Sequence, residues 1–255
     1  MQQIIHTLMF VAPMSFLAGL IDSIAGGGGL ISLPTYLAVG LPAHLAAGTN
    51  KCTAMFGTAV AAGRYIRKKK IHWPSTLAAM LGAFPGAAIG TKLNLLLDDH
   101  IMHIVMMVLL PVVGIALALR PNFGENETWQ TKTLARLALL SLVIGFAIGV
   151  YDGFFGPGTG TFLLLAFSAI CGFDLITANG NTKVINLTTN VSSFLTFALS
   201  GSVWYAVALP ADLCNMAGGW VGSGLALTKG AKVIRPVYYI VLTLLLCKIV
   251  FDFVA

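Results

Sequence analysis

The chain has 255 residues, of which 57% are hydrophobic and only 9% are charged, and its net charge is +6. A soluble domain carries about 25% charged residues, so this composition predicts an integral membrane protein and excludes a soluble catalytic domain. Nucleic acid is excluded as a partner, because the basic residues cluster in loops between apolar segments, where membrane topology accounts for them.

Apolar runs separated by helix breakers predict an all-α, multi-pass helical bundle. In the first half we expect helices near 4–24, 29–39, 44–63, 73–93 and 100–119. In the second half we expect them near 134–154, 159–171, 176–199, 204–226 and 236–254. A polar stretch divides the halves, so we expect a first transmembrane repeat, a cytoplasmic linker and a second transmembrane repeat at 1–120, 121–133 and 134–255.

One motif occurs once in each half of the chain. Phe16–Leu33 reads FLAGLIDSIAGGGGLISL, and Phe146–Leu163 reads FAIGVYDGFFGPGTGTFL. A shift of 130 residues superposes Asp22 on Asp152 and the first glycine cluster on the second. The recurrence of an aspartate followed by helix-breaking glycines within one apolar chain indicates an internal duplication.

The numbers of lysine and arginine residues in the loops predict the topology. The loop at 64–70 has five basic residues, and the linker region and the 229–235 loop have three each, so we expect these loops on the cytoplasmic side. The loops at 40–43 and 200–203 have none and are expected outside. Both termini then lie outside, and the two halves begin on opposite sides of the bilayer. This is the inverted repeat that recurs in secondary transporters.

The glycine clusters interrupt the helical pattern. The run at 29–39 rises only about 16 Å, too little to cross the bilayer, so we expect a re-entrant or broken helix there. Helix amino termini expose unpaired N–H groups, and glycine lets a ligand approach the backbone, which favours an anion site. Tight helix packing is the alternative role for these glycines. The expected substrate-binding residues at the breaks are Gly26, Gly27, Gly28, Gly29, Gly156, Gly158 and Thr159.

Each half also carries a lysine a few residues into a long apolar helix. Lys51 lies in AAGTNKCTAMFGT, and Lys183 lies 132 residues later in TANGNTKVINLTTN. A charge at the bilayer centre costs about 3 kcal/mol on insertion scales, so such a residue faces a partner or a cavity. Snorkelling to the membrane surface is the alternative. We expect both lysines to bind substrate, together with the neighbouring polar residues Thr49, Asn50, Asn181, Thr182 and Asn186.

Aspartates also lie within the apolar halves. Asp22 and Asp152 are expected to exchange a coupling proton, because burial and a neighbouring ammonium group act in opposite directions on the proton affinity of a carboxylate. A static Asp–Lys pair or a helix cap is the alternative. Asp212 has no acidic counterpart in the first half and is expected at the membrane interface, the alternative being that it supplies the asymmetry between the halves that a transporter needs. No metal-binding, nucleotide-binding or nucleophile motif occurs, so we expect no cofactor, no metal and no enzymatic activity.

Four motifs closely resemble those of the TauE/SafE family of sulfite exporter-like membrane proteins, in particular its YfcA-like bacterial members. They read AGLIDSIAGGGGLISLPTYL, AAGTNK, GVYDGFFGPGTGTFL and ANGNTKVINL. The resemblance covers essentially the whole chain. It implies a bacterial inner-membrane permease for sulfite, sulfoacetate or other small sulfur-containing or organic anions, with the glycine clusters and the paired aspartates and lysines as site elements. One difference separates the halves: Gly-Gly-Leu at 28–30 is replaced by Gly-Thr-Gly at 158–160.

Together, the residues and the resemblance lead us to expect a secondary transporter that moves a small anion by alternating access, coupled to a proton or to the membrane potential. A passive anion channel of the same fold is the main alternative, followed by an intramembrane enzyme and an assembly subunit. The expected partners are the anionic substrate and the lipid bilayer, and a homo-oligomer is left open. The expected location is the bacterial inner membrane.

Overall fold

The computed structural model describes residues 2–98 and 127–254, and every regular element within these ranges is helical, as expected. The helices of the first half are α1 (Gln2–Ala25), α2 (Gly29–Ala38), α3 (Ala43–Arg67) and α4 (Trp73–Leu96). Those of the second half are α5 (Leu134–Phe154), α6 (Thr159–Leu165), α7 (Leu175–Leu199), α8 (Tyr205–Lys229) and α9 (Ala231–Val254). The helix expected near 100–119 lies outside the described residues.

Local sequence features explain where several helices begin. Asp174 caps α7 by accepting hydrogen bonds from the backbone N–H groups of Ile176 and Thr177, at 2.9 and 3.2 Å. The last helix begins at Ala231 and not near 236, because Gly230 takes a positive φ of 55° and turns the chain directly out of α8. Pro236 lies in the second turn of α9, beyond the first turn where proline costs no helical hydrogen bond.

The closest helix packing joins one half of the chain to the other. Helix α1 packs along α8, and α4 packs along α5. Glycine permits this approach: a Cβ atom at Gly218 would overlap the carbonyl oxygen of Phe16, and a Cβ atom at Gly86 would overlap that of Phe146. These contacts occupy equivalent positions in the duplicated sequence. The two halves therefore make reciprocal, glycine-dependent contacts of the kind found between membrane helices.

The bundle places apolar side chains outside and many polar ones inside. Leu199 is 91% exposed and Leu96 is 79% exposed, whereas Lys51, Lys183 and Asp152 are buried. By length and composition, α1 from Ile4 onward and the whole of α5 can cross a membrane. An apolar outer surface around a polar interior fits a lipid environment, in which polar groups find partners only within the protein.

The two glycine breaks meet in the interior of the bundle. Gly26 and Gly156 have φ values of +74° and +94°, which glycine adopts without steric cost. Gly26 lies directly against Gly160, so that a Cβ atom on either residue would overlap the backbone of the other. The Thr161 hydroxyl donates a hydrogen bond to the Gly26 carbonyl oxygen at 2.8 Å. The two helix breaks therefore contact each other directly, and we call this contact the crossing of the breaks.

Candidate functional site

A small polar cavity lies beside this crossing. Its volume is about 30 Å³, which is enough to hold a water molecule. Both halves of the chain contribute to its wall, which consists of Asp22, Gly27, Gly29, Asn50, Lys51, Ala54, Asp152, Gly156, Gly158, Thr159, Gly160, Asn186 and Asn190.

A tight ion pair between the halves forms one side of the cavity. The Nζ atom of Lys51 lies 2.7 Å from Oδ1 of Asp152, and both side chains are buried. Lys51 also donates to Oδ1 of Asn190 at 3.3 Å. The Thr159 hydroxyl donates to Oδ1 of Asp152 at 2.6 Å and thereby connects α5 with the start of α6 across the break. Among the described residues, Oδ2 of Asp152 has no hydrogen-bond partner.

The equivalent ion pair has a different geometry. Lys183 is completely buried, and its Nζ atom lies 3.4 Å from Oδ2 of Asp22, whose side chain is 18% exposed. The ammonium group also donates to the main-chain carbonyl oxygen of Asp22, in the last turn of α1. Oδ1 of Asp22 accepts from the backbone N–H of Gly28 at 3.4 Å. Because a helix carboxyl terminus carries partial negative charge, Lys183 stabilises the end of α1 and the break that follows it.

Both pairs connect a lysine of one half with an aspartate of the other. The sequence predicted that these residues act together but did not say which aspartate faces which lysine. Both Asp–Lys ion pairs, the alternative to a proton-exchanging role, are present. An incoming anion would compete with the carboxylate of such a pair for the ammonium group, so an ion pair is compatible with proton exchange.

The predicted site residues fall into two groups. Those that border the cavity are Asp22, Gly27, Gly29, Asn50, Lys51, Asp152, Gly156, Gly158, Thr159 and Asn186. Those that do not border it are Gly26, Gly28, Thr49, Asn181, Thr182 and Lys183. Gly26 and Gly28 shape the first break, and Lys183 reaches the cavity wall only through Asp22.

Thr49 and Asn181 hold helix starts in the opposite half. The Thr49 hydroxyl accepts from the backbone N–H of Trp204 at 2.9 Å, immediately before α8. At the equivalent position, Oδ1 of Asn181 accepts from the backbone N–H of His72 at 2.8 Å, immediately before α4. Both residues therefore satisfy orphan amides at helix amino termini, and neither borders the cavity.

Three residues of the wall were not among the predicted site residues. Asn190 follows Asn186 by one helical turn, and this spacing places both on the same face of α7. Gly160 is required where Gly26 approaches its backbone. Ala54 is a small apolar residue without any signal in the sequence, and only the packing of α3 brings it to the cavity.

The structure also corrects the expected position of Asp212. We expected this residue at the membrane interface, but it is buried between helices, with only 4% of its surface exposed. The apolar pattern of α8 did not reveal this burial, because only the packing of α8 against α1 and α3 decides that Asp212 lies on a covered face while Leu209 and Leu213 beside it are exposed.

A family description, "Sulfite exporter TauE/SafE", matches residues 11–249 of the chain. Probable membrane transporter protein ORF9 of a Sinorhizobium species is 36% identical, over 97% of this chain and 94% of its own length. Probable membrane transporter protein YfcA of Escherichia coli is 34% identical, over 98% of this chain and 90% of its own. No solved structure matches the chain significantly. The chain therefore belongs to the TauE/SafE family of membrane transporters.

Proposed function

We propose that this chain is a secondary transporter of a small anion, such as a sulfite-like ion, an organosulfonate or another small organic anion, in the bacterial inner membrane. The names of its relatives point to transport and not to enzymatic activity, and the family description refers to sulfite export. Two inverted repeats with both termini outside are supported by the loop charges and by the reciprocal contacts of α1 with α8 and of α4 with α5.

One observation carries the proposal: the buried Lys51–Asp152 pair borders a polar cavity beside two interrupted helices. An ammonium group in a low-dielectric site attracts an anion much more strongly than it does in water. The start of α2 at Gly29 adds the partial positive charge of a helix amino terminus. Asn50, Asn186 and Asn190 supply amide groups that can donate to anion oxygens.

The same pair provides a route to proton coupling. An anion that approaches Lys51 competes with the Asp152 carboxylate, and both cannot be bound with equal strength. A proton on Asp152 removes the competing charge, so the binding of an anion and the binding of a proton favour one another. The unpartnered Oδ2 atom of Asp152 is the acceptor for this proton. We therefore propose Asp152 as the main proton-coupling residue and the more exposed Asp22 as a secondary one.

Alternating access requires two bodies that move against each other around the cavity. The tightest contacts join α1 to α8 and α4 to α5, so each of these pairs contains one helix from each half. Small residues in such contacts hold helix backbones close together, which disfavours separation. We propose that the two moving bodies are the α1–α8 pair and the α4–α5 pair. The two halves of the sequence do not move as separate bodies.

Purified protein in proteoliposomes tests the function. Uptake of sulfite, thiosulfate, organosulfonates and small carboxylates is measured with and without a pH gradient. We expect saturable uptake of one class, acceleration by substrate on the opposite side, and stronger accumulation with the acidic side facing the substrate. Conduction without saturation or acceleration from the opposite side would instead support the passive channel.

A double variant tests the site. Lys51→Met combined with Asp152→Asn removes both charges, so that no unpaired charge is left buried. We expect saturable uptake to fall at least about tenfold, the equivalent of about 1.4 kcal/mol. Lys92→Met is the matched control, because Lys92 is exposed on α4, and it should transport normally. Normal uptake by the folded double variant would contradict the assigned site.

A further inference from the structure

Asp212 is a buried carboxylate that the proposed transport site does not use. It lies in the third turn of α8, well inside the bundle. Neither of its oxygen atoms makes a hydrogen bond of acceptable geometry, and no cation pairs with it, within the part of the chain that the structure describes. The equivalent residue of the first half is Met80, so this group occurs in only one half.

Three other helices surround Asp212. Helix α8 packs on α1 and on α3, and one turn after Asp212 the amide of Asn215 donates to the main-chain oxygen of Ser15 at 3.0 Å. The titratable groups that interact with Asp212 are Tyr36 of α2 and Cys52 of α3. Neither is a cation.

The polar neighbour of Asp212 has one proton and several acceptors around it. The Thr53 hydroxyl of α3 faces the carboxyl group, and it also lies 3.1 Å from the main-chain oxygen of Thr49 and 2.7 Å from the Tyr36 hydroxyl. When Thr53 donates to the Thr49 oxygen, Tyr36 donates to Thr53, and neither oxygen of Asp212 accepts a hydrogen bond within the described residues. In that arrangement an ionised Asp212 would be buried with neither a donor nor a cation among those residues.

A protonated Asp212 fits the same surroundings. A hydroxyl oxygen has two lone pairs, and the Thr53 oxygen retains one after accepting from Tyr36. A neutral carboxylic acid can donate to this lone pair. The resulting chain of donors runs from Asp212 to Thr53 and on to the Thr49 carbonyl oxygen.

We propose that Asp212 is a proton-binding site: it holds a proton while α3 is packed against α8, and it loses that proton to water when α3 moves away from the α1–α8 pair. The site adjoins the transport cavity through two elements. Thr53 follows the cavity residue Lys51 by two positions on α3, and Tyr36 lies on α2, which begins at the cavity residue Gly29. This assignment stands independently of the substrate, so it can fail or succeed separately from the function proposed above.

Infrared spectroscopy of the full-length protein in lipid vesicles tests the protonation directly. At neutral pH we expect the carbonyl band of a neutral carboxylic acid, which shifts when the protein is labelled with ¹³C-aspartate and is lost in Asp212→Asn. Asp98→Asn, a change at an exposed carboxylate at the end of α4, is the matched control and should retain the band. In Thr53→Val the band should persist but move, because the acceptor of the acid proton is removed.

Hydrogen exchange tests the link to helix separation. If one proton is released on opening, the opening of the segments around Asp212 should increase by up to about tenfold per pH unit between the ordinary aspartate pKa of about 3.9 and neutrality, after correction for intrinsic exchange. Asp212→Asn should abolish this dependence, because asparagine resembles the neutral acid. The proposal is overturned if the labelled wild-type protein shows no neutral aspartic acid band, if the band survives in Asp212→Asn, or if the opening is independent of pH in the wild-type protein.

Discussion

Lys51 and Lys183 occupy equivalent positions in the duplicated sequence, yet their surroundings differ. Lys51 borders the cavity and lies 2.7 Å from Asp152. Lys183 is withdrawn from the cavity, lies 3.4 Å from Asp22, and also donates to the main-chain carbonyl of that residue. Lys51 therefore faces the cavity, while Lys183 contacts the end of α1.

The difference begins with a few residues at the breaks. The second half has Thr159 where the first has Gly29, and only the Thr159 hydroxyl can bind the neighbouring aspartate, at 2.6 Å. In the first half the aspartate binds the backbone of Gly28 instead, at 3.4 Å. The two similar charge pairs thus differ in their local partners, and we propose a ligand-facing role for the Lys51–Asp152 pair and a mainly structural role for the Lys183–Asp22 pair.

The largest loss of stability is expected at Gly26, because the paths of both helix breaks depend on its contact with Gly160. Gly26→Ala would place a Cβ atom on the backbone of Gly160 at a φ of +74°, so neither break could keep its path. We expect a loss of more than about 4 kcal/mol of stability and little folded protein. Gly40→Ala is the control, with a similar φ of +85° but open space around it, and should cost only about 1 kcal/mol. Thermal unfolding in detergent measures both, and equal losses would contradict the crossing of the breaks.

Replacement of Lys183 should cause the second largest loss of stability. Lys183→Met leaves the Asp22 carboxylate and the last carbonyl groups of α1 without their cation, and breaking such a buried pair costs about 3–5 kcal/mol. Adding Asp22→Asn should recover most of the loss, because the unpaired charge disappears. Chemical unfolding in detergent provides the measurement. If Lys183→Met is as stable as the wild-type protein, the stabilising role is wrong.

The two charge-free double variants separate the roles of the pairs. The Lys183→Met, Asp22→Asn protein should retain saturable uptake within about threefold of the wild type, less than 1 kcal/mol. The variant without Lys51 and Asp152 should fold equally well but lose uptake, as proposed above. Proteoliposome uptake normalised to folded protein compares them. Equal loss of uptake in both would show that the half-sites are functionally equivalent.

Two threonines of α6 allow a finer comparison. Thr159→Val removes a hydroxyl that stabilises the Asp152 carboxylate, the competitor of the anion for Lys51, and a hydrogen bond to a charged group contributes about 1.5 kcal/mol, so we expect KM to fall by up to roughly tenfold. Thr161→Val removes a neutral bond to the Gly26 carbonyl and should lower stability by about 1 kcal/mol without changing KM. Uptake kinetics and thermal unfolding of both variants distinguish these outcomes, and a reversed pattern would contradict the assignment.

The smallest effect concerns the ends of the helices outside the membrane core. His72 precedes α4 and Trp204 precedes α8 at the equivalent position, so only the first can titrate. Burial lowers the pKa of His72. Its neutral form is favoured on folding, so its contribution to stability is present above the ordinary histidine pKa of about 6.5 and is lost as the pH falls below that value.

His72→Asn keeps a cap that can accept from the backbone N–H of Ser75 but does not titrate. We expect the melting temperature of the wild-type protein to fall between neutral and mildly acidic pH by more than that of the variant. Identical pH profiles would show that His72 does not contribute.

The sequence alone was sufficient for the positions of most described helices and for the recurrence of the glycine motif. Apolar runs mark the spans, because lipid requires a continuous apolar surface, and glycines mark the interruptions, because glycine takes the positive φ seen at Gly26 and Gly156 without steric cost. A buried charge in an apolar chain requires a partner, so Lys51 and Lys183 stand out in the sequence itself.

Tertiary structure decided which of these residues meet. Neither the partner of each lysine nor the burial of Asp212 can be obtained from local patterns, because both depend on helices that are distant in the chain and cross from one half to the other. For the same reason Thr49 and Asn181, polar neighbours of the lysines, turned out to hold helix starts. Hydropathy and glycine spacing identify the spans, the helix breaks and the buried charges. Only the packing of the helices determines which group binds each of them.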